Sequence, residues 1–291
     1  MTQPINTEQS YLDFRRENPD FTKEPDIAVI FSGGMDSTTL VYGLLSRGYT
    51  PHLVSFNYGQ RHKKELVFAE RTAQLLGLRW DCIDLSDLTH LISNSALTSS
   101  KNVDPNGPVR HEDEIEVPEG HYAEDNMKLT VVPNRNMIML SIAAGIAVNN
   151  GYQGVATAVH AGDHFVYPDC RPQFIMATSV AIVLGNEGFG SIPKLEPGTE
   201  VPQFIMAPYL EMSKADIAYE ALKLKVPFEN TWSCYKGDSM HCGKCGTCVE
   251  RLEAIDEAIK LWDNSHEYQV NEPRDNTKYE DAEFWKTAVK K

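Results

Sequence analysis

Short unbroken apolar runs and longer stretches of helical spacing alternate along most of this chain. The runs Ile27–Phe31, His52–Tyr58, Arg79–Leu85, Gly154–His160 and Pro202–Tyr209 predict strands buried on both faces. Helical spacing covers Asp36–Arg47, closed by Gly48, and Lys63–Leu76, with apolar Leu66, Phe68, Ala69, Ala73, Leu75 and Leu76. It returns over Met137–Asn149, which carries no charge and therefore predicts a buried helix. Arg171–Leu184 follows, then Ser213–Leu224 with a serine cap, then a last helix from about Val249 to Trp262. Such alternation predicts an α/β fold built on a doubly wound parallel sheet, with ligands at the carboxyl ends of the strands.

The alternation lapses between residues 86 and 128, where Asn102, Pro105, Asn106, Gly107, Pro108, Pro118 and Gly120 accompany the acidic run Glu112-Asp113-Glu114. This stretch reads either as an ordered lid over the site or as a mobile surface insertion. Three parts result: an N-terminal extension (1–25), the α/β domain (26–228, with 86–128 as its insertion), and a cysteine cluster with a helical C-terminal region (229–291). There are no internal repeats.

Composition narrows the class. A chain of 291 residues with 42% hydrophobic content holds one large domain, or one and a small appendage. No apolar stretch reaches the ~18 residues a bilayer span requires. The first 25 residues lack the apolar core of a signal peptide, so the expected location is cytoplasmic. The formal charge of −14 disfavours non-specific nucleic-acid binding, which depends on Lys and Arg neutralising phosphates.

Two sequence features carry chemistry. The first is Phe31-Ser32-Gly33-Gly34-Met35-Asp36-Ser37, set between the first strand and the first helix. Two glycines let backbone approach a ligand, the helix start offers free N–H groups, and Ser32, Ser37 and Thr38 add hydroxyls, which together form an anion cradle. It lacks the lysine of G-x-x-x-x-G-K-[ST] and does not fit G-x-G-x-x-G. The second is Cys234-x7-Cys242-x2-Cys245-x2-Cys248. Four thiolates suit one structural zinc, with Gly243 and Gly246 supplying turns; an iron–sulfur cluster is the competing occupant. His241 is adjacent to Cys242, and neighbouring residues rarely ligate the same ion. Cys170 reads as a small buried side chain.

The loop resembles the pyrophosphate loop of the ATP pyrophosphatases, which cleave ATP between the α and β phosphates. Asn-Tyr-Gly-Gln-Arg-His (57–62), Pro-Asn-Arg-Asn (133–136), Tyr-Pro-Asp-Cys-Arg (167–171) and the four cysteines follow it in order. Over about Asp26 to Leu261 that order resembles the 7-cyano-7-deazaguanine synthases of the queuosine pathway. The resemblance implies an ATP- and Mg²⁺-dependent ligase that joins ammonia to 7-carboxy-7-deazaguanine. The route runs through an acyl-adenylate and an amide to the nitrile, releasing AMP and pyrophosphate. It also implies one structural zinc per chain and a homodimer without membrane or nucleic-acid partners.

On that reading the nucleotide lies against Phe31, Ser32, Gly33, Gly34, Met35, Asp36, Ser37, Thr38, Thr39, Leu40 and Val41. Ser32, Asp36, Ser37, Arg61 and Arg135 serve the chemistry. Asp36 either caps backbone N–H groups or faces Mg²⁺, and the arginine forks suit phosphate or carboxylate. Gln60, Arg135, His160, Asp163, Asp169 and Arg171 are the substrate candidates, with Asp163 or Asp169 able to accept the N1–H and 2-amino donors of a guanine-like edge. His160 is alternatively a plain strand-end residue. Lys214 either approaches a phosphate or is solvated. Three other readings stay open: a tRNA-thiolating relative, an enzyme that stops at the amide, and a relative acting in phage or defence modification.

Overall fold

A four-residue strand that faces two cores at once organises the molecule. In β1 (Ile27–Ile30), Ile27 and Val29 point into one apolar core and Ala28 into the other, as the two-residue strand period requires. The architecture comes from a computed structural model describing residues 24–60, 63–88, 97, 117, 119–120, 130–236, 239–265 and 275–287. The N-terminal extension up to residue 23, Arg61, His62 and most of the 86–128 insertion lie outside the described residues.

After β1 come α1 (Met35–Ser46), β2 (Pro51–Asn57), α2 (Lys64–Leu76), β3 (Trp80–Asp84), α3 (Arg135–Asn150), β4 (Val155–Ala156), α4 (Pro172–Gly185), β5 (Ile205–Met206), α5 (Lys214–Lys223), α6 (Gly246–Ser265) and α7 (Phe284–Thr287). The five strands pair in parallel in the order β3-β2-β1-β4-β5. Residues from α1, α2, α5 and α6 share the core that holds Ile27 and Val29, whereas α3 and α4 pack with Ala28 on the opposite face. The strand order therefore reverses between β1 and β4, and the crevice beyond their carboxyl ends is where a doubly wound sheet receives its ligand.

Two predicted strands are shorter than their apolar runs. Gly154–His160 and Pro202–Tyr209 each pair over only two residues. Thr157 N–H still reaches Met206 O at 2.9 Å and Ala161 N–H reaches Met212 O at 3.0 Å, so the two segments stay in contact without a regular ladder. Asp163, just beyond, lines the cavity described below. No helix among the described residues is long and apolar enough to cross a membrane.

The C-terminal region is joined to the α/β core by α6, which contributes Ala254, Ile255 and Ala258 to it. Beside them Arg251 is fully buried. Its guanidinium donates to Phe228 O, Thr231 Oγ1, Ser233 Oγ, Thr277 Oγ1 and Tyr279 Oη at 2.7–3.1 Å. A buried arginine is tolerable only when its donors are satisfied in this way. Residues 275–279 are thus tied to the segment that leads into the cysteine cluster.

Candidate active site

The loop between β1 and α1 takes its shape from its glycines. Gly33 has φ +80°, and a Cβ there would meet Glu65 O at 2.5 Å and Ala69 N at 2.7 Å, so both conformation and space demand glycine. Gly34 is the N-cap of α1, and no side chain caps that end. The first N–H groups of α1 therefore remain for a ligand, with the positive end of the helix dipole behind them. Ser32 Oγ accepts Gly34 N–H at 3.2 Å and lies 3.1 Å from Ser37 Oγ, which places both hydroxyls on the rim. From behind, Trp232 N–H holds Gly33 O at 2.9 Å.

In the first turn of α1, Asp36 joins a charged cluster with side chains from distant segments. Lys214 Nζ donates to Asp36 Oδ2 at 2.7 Å and lies 3.3 Å from Glu250 Oε2. His160 Nδ1 accepts Gly162 N–H at 3.1 Å, which leaves the proton on Nε2, 3.4 Å from Asp163 and 3.8 Å from Asp36. Burial raises the Asp36 pKa, but Lys214 and then His160 outweigh it and hold the carboxyl below its usual range. Burial pulls the Lys214 pKa down, yet Asp36, Glu250 and Asp163 lift it well above normal, so the ammonium stays charged. Asp36 does not cap the helix: its Oδ1 is buried and has no hydrogen-bond partner among the described residues.

The loop and this cluster open into a cavity of about 250 Å³. Its lining includes Phe31, Ser32, Asp36, Asp163, Lys214 and Glu250, together with Phe56, Tyr58, Glu65, Arg135, Tyr167 and Tyr235. Arg135, the first residue of α3, stacks over the Tyr167 ring at 5.6 Å. Burial acts to lower its pKa, but Tyr58, Tyr167 and Tyr235 raise it, and it remains a cation.

The cysteine cluster sits beneath the loop. All four Sγ atoms lie within 4.8 Å of one another, and Cys242 Sγ and Cys248 Sγ are 3.9 Å apart. Tetrahedral zinc–thiolate bonds of ~2.3 Å put sulfurs about 3.8 Å apart, so the donor set fits. Backbone N–H groups of Lys236 and Cys242 point at Cys234 Sγ, and those of Lys244 and Cys245 at Cys242 Sγ, as charged thiolates require. His241 is no ligand here: its Nε2 accepts Ser233 N–H at 3.2 Å, its ring packs on Trp232 at 4.3 Å, and burial lowers its pKa to about 3.

Residues 26–259, which include every residue of the cavity and of the cysteine cluster, match the family model described as queuosine biosynthesis protein QueC. The chain belongs to the QueC family. It is 46% identical over 261 residues to the 7-cyano-7-deazaguanine synthase of Chelativorans sp. (strain BNC1), covering 90% of this chain and 96% of that one. The identity and the covered shares are the same for 7-cyano-7-deazaguanine synthase 1 of Mesorhizobium japonicum. Among solved structures, a predicted subunit of tRNA methyltransferase from Methanocaldococcus jannaschii is 20% identical and covers 69% of this chain and 76% of that one, with a TM-score of 0.40.

Within this QueC-family cavity the structure gathers Phe31, Ser32, Asp36, Arg135 and Asp163 from the residues singled out in the sequence. His160 stands behind Asp36 and Asp163. The side chains of Met35, Leu40 and Val41 face the apolar core, and that of Thr39 is buried with its hydroxyl on Met35 O. Gln60 is consumed internally: it accepts Tyr58 N–H and donates to Phe56 O and Glu65 Oε1. Asp169 Oδ2 accepts Asn136 N–H at the start of α3, and Arg171 is exposed with Nε–H on His164 O; neither lines the cavity. Cys170 is buried, which pushes its thiol pKa up.

Glu65, Glu250, Tyr58 and Tyr235 line the cavity without having been singled out. Lys214 turns out to be held by Asp36 rather than solvated. The pair is separated by 178 positions, and no periodicity encodes such a contact.

Proposed function

We propose that this enzyme converts 7-carboxy-7-deazaguanine, ammonia and ATP into 7-cyano-7-deazaguanine through an acyl-adenylate and then an amide, with AMP and pyrophosphate released. The names of its relatives support the product. The observation that carries the adenylation chemistry is the uncapped start of α1, which opens, with Ser32, into the same cavity as Lys214 and Arg135.

The substrate's own carboxylate is the nucleophile, so the protein's task is placement and charge stabilisation. The loop N–H groups and hydroxyls hold the departing pyrophosphate. Lys214, kept cationic by Asp36 and Glu250, faces the negative charge that grows on the phosphoryl oxygens. Arg135 suits either the α-phosphate or the substrate carboxylate. Mg²⁺, which favours carboxylate oxygen, would neutralise phosphate charge, and the free Oδ1 of Asp36 is the oxygen fitted to it. The four cysteines hold one zinc as scaffold.

The protein incubated with 7-carboxy-7-deazaguanine, ATP, Mg²⁺ and ammonium should yield AMP, amide and nitrile by mass spectrometry. Absence of AMP and of both products overturns the reading. Amide without nitrile places the end-point one step earlier. Asp36→Ala should lower AMP release by about 100-fold or more while leaving metal content unchanged, since Lys214 keeps Glu250 as its partner. Loss of metal as well would make the residue structural.

A homodimer belongs to the same proposal. On α4, Met176, Val180 and Leu184 recur every four residues and are 62%, 40% and 54% exposed. Together they form an apolar stripe of the kind interfaces cover. Replacing Met176 and Val180 by aspartate should halve the mass seen by light scattering. A wild-type chain that runs as a monomer would refute the dimer.

A further inference from the structure

Four carboxylates line the cavity, and three of them belong to the cluster around Lys214 and His160. Asp36 and Glu250 share Lys214, and Asp163 faces His160 Nε2. Glu65 belongs to a second group, whose cation is Arg135. The Gln60 amide donates to its Oε1 at 3.1 Å and is itself locked by two backbone contacts. Its position is rigid for a second reason, since Glu65 O is one of the atoms crowding Gly33. Around it the lining is aromatic, from Phe56, Tyr58, Tyr167 and Tyr235.

An aromatic-lined pocket that also holds a fixed carboxylate is complementary to a planar heterocycle that presents two adjacent N–H donors. Asp169 is taken by the Asn136 backbone and Asp163 by His160, so neither sequence candidate for that edge is available. We propose that Glu65 is the specificity-determining residue that accepts the N1–H and 2-amino donors of the deazaguanine. This rests on the substrate assigned under Proposed function.

The same carboxylate sorts the two purine-like rings this enzyme must hold at once. Adenine presents a lone pair at N1 where the guanine-type edge presents N–H, and an ionised carboxylate repels that lone pair. Without ligand, burial lifts the Glu65 pKa to about 7, opposed by the Gln60 amide and by Arg135. The charged or titratable groups facing it are Arg135 from α3, Tyr58 from the end of β2, and Tyr235 from the segment before the cysteines. The acceptor role needs the ionised form. Heterocycle affinity should therefore hold above pH 7, fall below it, and release a proton on binding near neutrality.

The test is calorimetric titration of the full-length protein with 7-carboxy-7-deazaguanine and with its analogue lacking the 2-amino group. Wild type should bind the analogue about 10- to 100-fold more weakly, the range expected for losing a charge-assisted hydrogen bond. In Glu65→Gln and Glu65→Asp the parent should weaken by a similar factor and the discrimination should collapse, with ATP affinity unchanged. If the variants keep the discrimination, or lose ATP affinity instead, the inference fails while the proposed function stands. If wild type binds neither heterocycle and releases no AMP, both fall.

Discussion

Gly33→Ala is expected to abolish AMP release. Two independent conflicts meet at this position. The left-handed φ of +80° costs an alanine on the order of 1 kcal/mol. The added methyl also meets backbone atoms of α2 at 2.5 and 2.7 Å, and a helix backbone cannot rotate aside as a side chain can. Forcing volume into such a contact typically costs about 1–3 kcal/mol. The strain is relieved only if the loop or α2 shifts, which displaces the N–H cradle from Lys214 and Arg135. A misplacement near 1 Å is enough to lose about 100-fold in rate. Gly151→Ala is the matching control: its φ is +70°, but a Cβ there meets nothing within 4 Å. It should lower thermal stability slightly and leave turnover intact. Equal turnover in both variants, measured as AMP per active protein, would refute the steric account.

Extraction of the metal, or Cys245→Ser, should produce the second large effect. Cys245 is fully buried, and the four ligating sulfurs lie within 4.8 Å of one another. Metal-free, the four sulfurs cannot all be thiolates, because their mutual repulsion in a buried site is uncompensated. Structural zinc sites contribute about 10–16 kcal/mol in isolated fingers, comparable with the whole ~5–15 kcal/mol of a domain. Activity should fall with stability. The segment that enters the cluster also carries Trp232, whose N–H holds Gly33 O and whose ring packs between Phe68 and His241. Metal content, tryptophan fluorescence and AMP release should therefore decline together on chelation. One zinc per colourless chain is the expected stoichiometry. Full activity in a metal-free protein would sink this coupling.

The parallel sheet is legible in the sequence because the apolar runs have strand length and some helix ends carry a local signal, such as Ser213 capping α5 or Gly48 following α1. The loop is legible because its glycines perform a local task. The two-residue ladders of β4 and β5 are not, since an apolar run looks the same whether or not a regular ladder follows its whole length. Side-chain destinations are harder still. Gln60 and Asp169 have the right chemistry for a ligand, but a backbone amide or carbonyl nearby claims them first. Glu65 reads as an ordinary polar position on an amphipathic helix, and only the approach of Arg135 from α3 gives it a role.

The Arg251 clamp has a consequence for the order in which the molecule is made. Synthesis runs from the loop between β1 and α1 to Lys214 and Glu250, and only then to Thr277 and Tyr279. Until those last two emerge, Arg251 lacks two of its five acceptors. A nascent chain therefore presents the glycine loop before the lysine and the clamp that complete its surroundings.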